Sequence, residues 1–381
     1  MKYIKIPNND SEVKMKKILS LALAAVMIFA AVAVLSSCNK EKTYEIGVVT
    51  DLGQLADKGF NRGIYDGAMA YAEMNRKTYK LYSPANRADA GDDDRIAAMD
   101  QAIANGAKIV VVCGYDQDKA LREVAGKNPD TKFIFIGGED TGLDNVVSVS
   151  FREEESGYLA GYAAVAEGYT YLGFTGGGGG VNPDCNRFGF GYVQGAAAAS
   201  KALGRDVKIK YSYKYGESFE TSDELCAQIS GWYDDGCEVV FACGGAMFDS
   251  VNKAALAHDD AKIIGVDVDQ SGESDRVITS AAKGISEAVQ YVLARYYDGK
   301  WAELGRVVTL GASDGATGLP TETFSQRMKT WTLDEYRELF ASVQSGEIGI
   351  SADVPADAQS GDWLDGWLGE NGYTNVTVMF E

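Results

Sequence analysis

A single histidine occurs in 381 residues, His258, inside the polar run AHDDAK. No His-Cys or His-Ser constellation can be assembled around it, no G-x-S-x-G is present, and no zinc-ligand spacing occurs. Carboxylates are plentiful, but sequence alone pairs none of them for acid–base work. Cysteine is also sparse. After Cys38 there remain Cys113, Cys185, Cys226, Cys237 and Cys243, an odd number with no C-x-x-C, which argues against a disulfide scaffold. The runs IVVVCG and VVFACGG set Cys113 and Cys243 among apolar neighbours, as small buried hydrophobes. Positive charge is in deficit, with 36 Lys and Arg against 55 Asp and Glu and a net charge of −19. That balance argues against nucleic acid as a partner and against electrostatic docking on anionic lipid.

Long apolar runs are likewise rare, and the one that exists lies at the N-terminus. From Met15, the expected start, the chain reads MKKILSLALAAVMIFAAVAVLSSC, with an apolar run from Ile18 to Leu35. The run is long enough for a transmembrane helix. The small residues before Cys38 and the polar NKEK after it match a bacterial lipoprotein box instead, so residues 1–37 read as a signal peptide and stay outside the fold. Cys38 is then the expected lipidation site, and residues 38–43 the anchor and linker. The 1–37 segment holds five lysines against two acids, so its removal takes the net charge from −19 to −22 and leaves 344 residues. Such a length suits two lobes better than one core. With so acidic a chain the membrane must be reached through lipid, several acyl chains holding firmly where one holds marginally. The expected location is the extracytoplasmic face of the cell membrane.

Beyond the linker, apolar runs alternate with helical patterns. YEIGVV precedes a helix near 57–76, YKLYS one near 92–105, AKIVVVCG one near 116–126, and KFIFIGG and NVVSVS follow. This β-α-β-α-β-α-β-β order predicts a parallel sheet with helices on both faces, and the unbroken apolarity of KIVVVC fits a strand buried on both sides. The pattern repeats: a helix at about 152–167, YLGFTGG, a helix near 185–203, VKIKYSY, a helix near 217–235, EVVFACGG, a helix near 247–258 and KIIGVDV. The strand and helix in RVITSAAKGISEAVQYVLARYYDGK read as a return to the first lobe. The expected division is 44–150 plus about 276–306 for one lobe, and 151–275 plus about 307–381 for the other.

Open α/β sheets bind ligands beyond the carboxyl ends of their strands. The stretch TDLGQLADKGFNRGIYDGA sits there: Asp51 ends the first strand, Asp57 can cap the next helix, and Phe60 and Asn61 fall in its first turn. Phe60, Ile64, Ala68 and Tyr71 share helical spacing, so Phe60 equally begins a core face. The glycines at 176–180 are followed by no Gly-Lys-Ser/Thr, which disfavours a phosphate cradle and leaves a mobile or surface loop. DVDQSGESD, from Asp267, mimics the start of a calcium loop, but Ile278 stands at the twelfth position where a bidentate Glu belongs. Two acids at a strand end can instead accept from paired hydroxyls. Lys283 ends ITSAAK, able to donate to a polar ligand or to lie solvated.

Taken jointly, DLGQLADKGFNRGIYDGA, VSFREEESGYLAGYAA and IIGVDVDQS followed by VITSAAKGISEAV resemble segments of the basic membrane protein family. These are purine nucleoside receptor A-like lipoproteins that serve as substrate-binding proteins of ABC importers. The likeness covers roughly residues 44 to 350. It implies a type I periplasmic-binding-protein fold, two doubly wound parallel-sheet lobes joined by a hinge. It further implies a purine sandwiched between aromatics and a ribose held by acid and lysine. Carried over, Phe60 is one stacking ring, Asp51 and Asn61 its polar neighbours, and Asp267 and Lys283 the ribose partners. The second ring is Phe188 in NRFGFGY or Phe248 in GGAMFD. Gly137 departs from the pattern, standing where the family has an acid, with Glu139 or Asp140 as possible substitutes.

The leading expectation is a binding protein, not an enzyme, that delivers a purine nucleoside to an ABC permease. It needs no cofactor and no metal, meets no nucleic acid, and touches the membrane through its N-terminal lipid. The alternatives are another polar ligand, a sugar or signalling molecule, and, from a different class, a nucleoside-processing enzyme.

Overall fold

A computed structural model describes residues 43–381 apart from 52–54, 56–57 and 357. The signal segment, Cys38 and Asp57 therefore lie outside the described residues. The first lobe opens with β1 (Ile46–Val49), α1 (Phe60–Met74), β2 (Tyr79–Tyr82), α2 (Asp92–Ala104), β3 (Ile109–Cys113), α3 (Asp118–Lys127), β4 (Lys132–Ile136) and β5 (Val146–Phe151). β-branched residues dominate β1, β3 and β5, and β1 and β3 are buried along their whole length because helices cover both sheet faces. The chain then crosses over, and the pattern recurs as α4 (Glu153–Glu167), β6 (Tyr171–Gly176), α5 (Pro183–Leu203), β7 (Val207–Ser212), α6 (Asp223–Asp234), β8 (Val239–Cys243), α7 (Met247–Leu256), β9 (Lys262–Asp267) and β10 (Val277–Lys283). α8 (Ile285–Tyr297) and β11 (Val307–Leu310) return to the first lobe. β12 (Thr317–Gly318), α9 (Phe324–Arg327), α10 (Leu333–Gln344), α11 (Asp362–Glu370) and β13 (Val376–Phe380) complete the second.

Six strands in the order β11-β5-β4-β3-β1-β2 form one sheet, and seven in the order β12-β10-β9-β8-β6-β7-β13 form the other. All neighbours are parallel except β10 and β12. Strand order reverses between β1 and β3 in one sheet and between β6 and β8 in the other, which opens a crevice at the carboxyl ends of those strands.

Two boundaries differ from the sequence reading. Strand 277–283 belongs to the second sheet, where it pairs with β9, and 307–310 belongs to the first, where it pairs with β5. The reason is the internal repeat: each lobe ends in two parallel strands, β4 with β5 and β9 with β10, joined by coil without an intervening helix. The crossings lie after β5, after β10 and after β11. They are tied together by Arg152 N–H donating to the Leu310 carbonyl (2.9 Å) and Gly284 N–H donating to the Ala316 carbonyl (2.7 Å).

Helices α4 and α5 meet backbone to backbone. A β-carbon at Gly157 or Gly161 would collide with the carbonyl oxygens of Phe188 or Tyr192, and one at Gly191 or Gly195 with those of Glu154 or Tyr158. Glycine at these four positions permits the approach and brings the first turn of α4 beside the first turns of α5. Among the described residues no helix is long and apolar enough to cross a membrane.

Candidate functional site

At the carboxyl end of β1, Asn61 Nδ2 donates to Asp51 Oδ1 (2.5 Å), and the Asp51 N–H donates back to Asn61 Oδ1 (3.1 Å). This reciprocal pair fixes the start of α1, whose N-cap Gly59 offers no side chain, and turns the half-buried Phe60 ring towards the crevice. On the facing lobe β9 ends at Asp267, held at φ 68°, and β10 ends at Lys283. The Lys283 Nζ lies 3.3 Å from Asp267, 3.3 Å from Glu153 and 3.4 Å from Asp184. Three rings surround the same ammonium, with centroids at 5.1 Å for Phe60, 5.2 Å for Phe188 and 5.5 Å for Phe151.

Glu153, at the first helical position of α4, is fully buried and also accepts from Arg187 Nε at 2.7 Å, while Arg187 Nη2 donates to Asp184 Oδ1 at 2.7 Å. Burial, with the nearby Asp184 carboxylate, pushes the Glu153 carboxyl up to about 7, against the pull of Lys283 and Arg187. Burial opposes charge on Lys283 and Arg187 too, but the surrounding carboxylates outweigh it and hold both well above their ordinary range. Both cations stay charged; the acids share the cost of desolvation.

Lys283, Asp267 and Asp184 line one cavity of about 600 Å³, including its opening to solvent, between the carboxyl ends of the two sheets, while Glu153 and Arg187 stand outside its lining. Asp51, Phe60, Asn61, Phe188, Asp267 and Lys283 all line it. Phe248 does not: it is 1% exposed and packs in the core beneath α7. Phe188 is also core for most of its surface, edge-on to Phe241 with centroids 6.0 Å apart. Neither Glu139 nor Asp140 reaches the cavity; Asp140 pairs with Arg306 at 3.1 Å. Where Gly137 lacks a side chain, the Phe60 ring and Asp184 Oδ2 lie 3.1 and 3.2 Å from the position a β-carbon would take. Asp184 of the second lobe thus fills that corner.

Sequence reasoning missed Phe219 and Asp116, which line the cavity as well. Phe219 lies in the coil between β7 and α6, in left-handed backbone at φ 60°, with its ring against Gly177 and Gly178. The glycine run is therefore a floor for this ring. The available signal was Ser222, whose side chain caps α6 and leaves residue 219 outside the helix. Asp116 follows β3. It keeps solvent contact, yet it stands deep enough in the crevice that desolvation raises its carboxyl pKa, with Arg95 opposing.

Elsewhere, acids of the calcium-like loop already have protein partners: Asp269 accepts from Ser271 N–H and from Thr323 Oγ1, and Asp275 pairs with Arg327. His258 sits at the end of α7 against the Ala254 carbonyl and Asp234, outside the cavity.

The family model of the PnrA-like ABC transporter substrate-binding proteins, Bmp, matches residues 45–342. The chain belongs to this family. It is 28% identical over 341 residues to the ABC transporter nucleoside-binding protein BmpA of Lactococcus lactis subsp. cremoris, covering 81% of this chain and 93% of that one. It is 29% identical over 312 residues to basic membrane protein B of Borreliella burgdorferi, covering 77% and 88%. A solved ABC transporter solute-binding protein from Aeropyrum pernix K1 superposes with a TM-score of 0.71 over 87% of this chain and 98% of that one, at 24% identity. That likeness shows the fold, the type I periplasmic-binding architecture expected from the sequence. As a Bmp protein, the chain is a substrate-binding component of an ABC transporter.

Proposed function

We propose that this Bmp protein captures a purine nucleoside between its lobes and hands it to the permease of an ABC importer. It is held on the extracytoplasmic face by lipid on Cys38. The observation that carries the reading is one cavity in which Phe60 and Phe219 approach from opposite lobes beside the Asp267–Lys283 pair. Aromatic faces on two sides suit a flat base, each contributing roughly 1–3 kcal/mol. A carboxylate beside an ammonium suits vicinal hydroxyls, since the acid accepts from both while the ammonium offsets its charge. The cavity wall carries Asp184 and Asp267 against Lys283, with Glu153 behind it, a set too acidic to welcome a phosphate. This favours nucleosides over nucleotides. The nucleoside-binding relative from Lactococcus supports the same ligand class. Lys283 and Arg187 are both committed to carboxylates, leaving the site suited to binding without turnover.

Native mass spectrometry of the purified protein tests this reading, with calorimetric titration of purine nucleosides, their monophosphates and simple sugars alongside. A co-purifying or titratable nucleoside released unchanged is expected. Preferential binding of a sugar would establish the alternative polar ligand, and release of free base would establish an enzyme. Intact mass tests the anchor: a mature N-terminus other than a lipid-bearing Cys38 removes it from the proposal.

A further inference from the structure

The cavity has two chemically distinct ends. Tyr115, Asp116, Asn182 and Phe219 wall both the cavity and the outer cleft that adjoins it, whereas Asp267 and Lys283 wall the cavity alone. Asp116 therefore stands at the outer end, beside the Phe219 ring and away from the Asp267–Lys283 pair. It makes no hydrogen bond or ion pair among the described residues. The neighbouring Asp51 carboxylate lies against the backbone of Gly114, two residues before Asp116, and already accepts from Asn61. The outer end thus holds one carboxylate without a hydrogen-bond donor from the protein, with the charge of Arg95 in the adjoining cleft.

Resting on the nucleoside reading, we infer that Asp116 reads the base, selecting a purine whose N1 carries a proton, guanine above all, over adenine. A ribose on Asp267 and Lys283 sends the base outward between Phe60 and Phe219, so the edge that meets Asp116 lies furthest from the sugar. Guanine presents N1–H and the 2-amino group side by side, and an ionised carboxylate accepts both at once. Hypoxanthine offers N1–H alone. Adenine offers only its 6-amino N–H at that edge, beside an unprotonated N1 whose lone pair faces the other carboxylate oxygen. Stacking tolerates every base, so discrimination falls to this contact.

Calorimetric titration of the full chain with guanosine, inosine and adenosine tests the inference in wild type and in Asp116→Asn. The substitution preserves size and touches a solvent-reaching side chain, so the fold is kept. Wild type is expected to rank guanosine above inosine above adenosine, with guanosine about 10- to 100-fold tighter than adenosine, the loss expected from a charge-assisted hydrogen bond. Asp116→Asn should remove most of that preference by weakening guanosine while adenosine stays near its wild-type affinity. From the ligand side, 1-methylguanosine lacks the N1–H and should bind wild type weakly and be indifferent to the substitution. A guanosine-to-adenosine ratio unchanged by Asp116→Asn, or equal affinities in wild type, overturns the role of Asp116 and leaves the nucleoside reading standing. A folded wild type that binds none of the three overturns both.

Discussion

Lys283 Nζ lies 3.3 Å from Glu153 Oε1 with both side chains out of solvent, so a strand end of the second lobe is bonded to the first residue of the helix that follows a crossing. The ligand cavity and the junction between lobes thereby share one polar network, continued through Arg187 and Asp184. Breaking such a network by removing one partner leaves an uncompensated buried charge, at a cost of about 3–5 kcal/mol.

Stability should carry the signature of Glu153. Its carboxyl is held at about 7 in the folded chain against an ordinary 4.5. The folded state binds this proton more tightly than the unfolded state. The resulting stability is complete below about pH 4.5 and is lost as pH rises through about 7. In Glu153→Gln that contribution has no titration, so wild type should lose melting temperature relative to the variant between pH 5 and pH 8. Parallel melting curves over that range would contradict it.

The two rings of the proposed sandwich should separate binding from folding. Phe60→Ala and Phe219→Ala should each weaken nucleoside affinity by about 1–3 kcal/mol with little change in melting temperature. Phe188→Ala, which empties a core position, should cost about 3–5 kcal/mol of stability. Calorimetry and thermal melting on the same samples distinguish the two behaviours.

Asp267→Asn tests the ribose contact. Asparagine tolerates the left-handed backbone at φ 68°, so the fold should persist. Loss of a hydrogen bond to a charged group costs about 1.5–3 kcal/mol, so the preference for guanosine over 2′-deoxyguanosine should fall accordingly. An unchanged ratio would remove Asp267 from the ribose.

Lys58 reaches across the crevice to Asp249 (3.0 Å) and Glu273 (3.3 Å), with all three side chains about 40% exposed. Each exposed pair contributes about 0.2–1 kcal/mol and is screened by salt. Lys58→Ala removes both pairs and should therefore speed ligand release by about 2- to 30-fold at low salt, and the difference should vanish in molar salt. Stopped-flow displacement at two ionic strengths reads this directly.

Local patterns carried much of this molecule into view. Alternation of apolar runs and amphipathic helices specified both sheets, and Asp51, Asp267 and Lys283 at strand ends, with Phe60 and Asn61 at a helix start, stood where the cavity lies. Features set by distant contacts were not visible in the same way. The approach of α4 to α5 gathers Glu153, Asp184 and Arg187 from positions some thirty residues apart, and no periodicity reports it. Phe219 was hidden by a helix start read several residues too early, and of the two rings offered in its place Phe248 lies in the core. The assignment of β10 was within reach, because the repeat of two adjacent terminal strands in each lobe already implied it.

The three crossings also govern the order in which the protein can be made. β11 completes the first sheet by pairing with β5, although the whole run from β6 to β10 separates them along the chain. A ribosome must therefore release residues through 310 before the lobe that was begun first can be finished, by which time most of the other sheet has emerged. The second lobe in turn waits for β13 at the very end, where the Glu381 side chain accepts from Trp232 Nε1 and Lys210 Nζ. Neither lobe is a contiguous stretch of chain. A nascent protein stalled before β13 leaves β7 as the edge of the second sheet, an extra unpaired strand during synthesis.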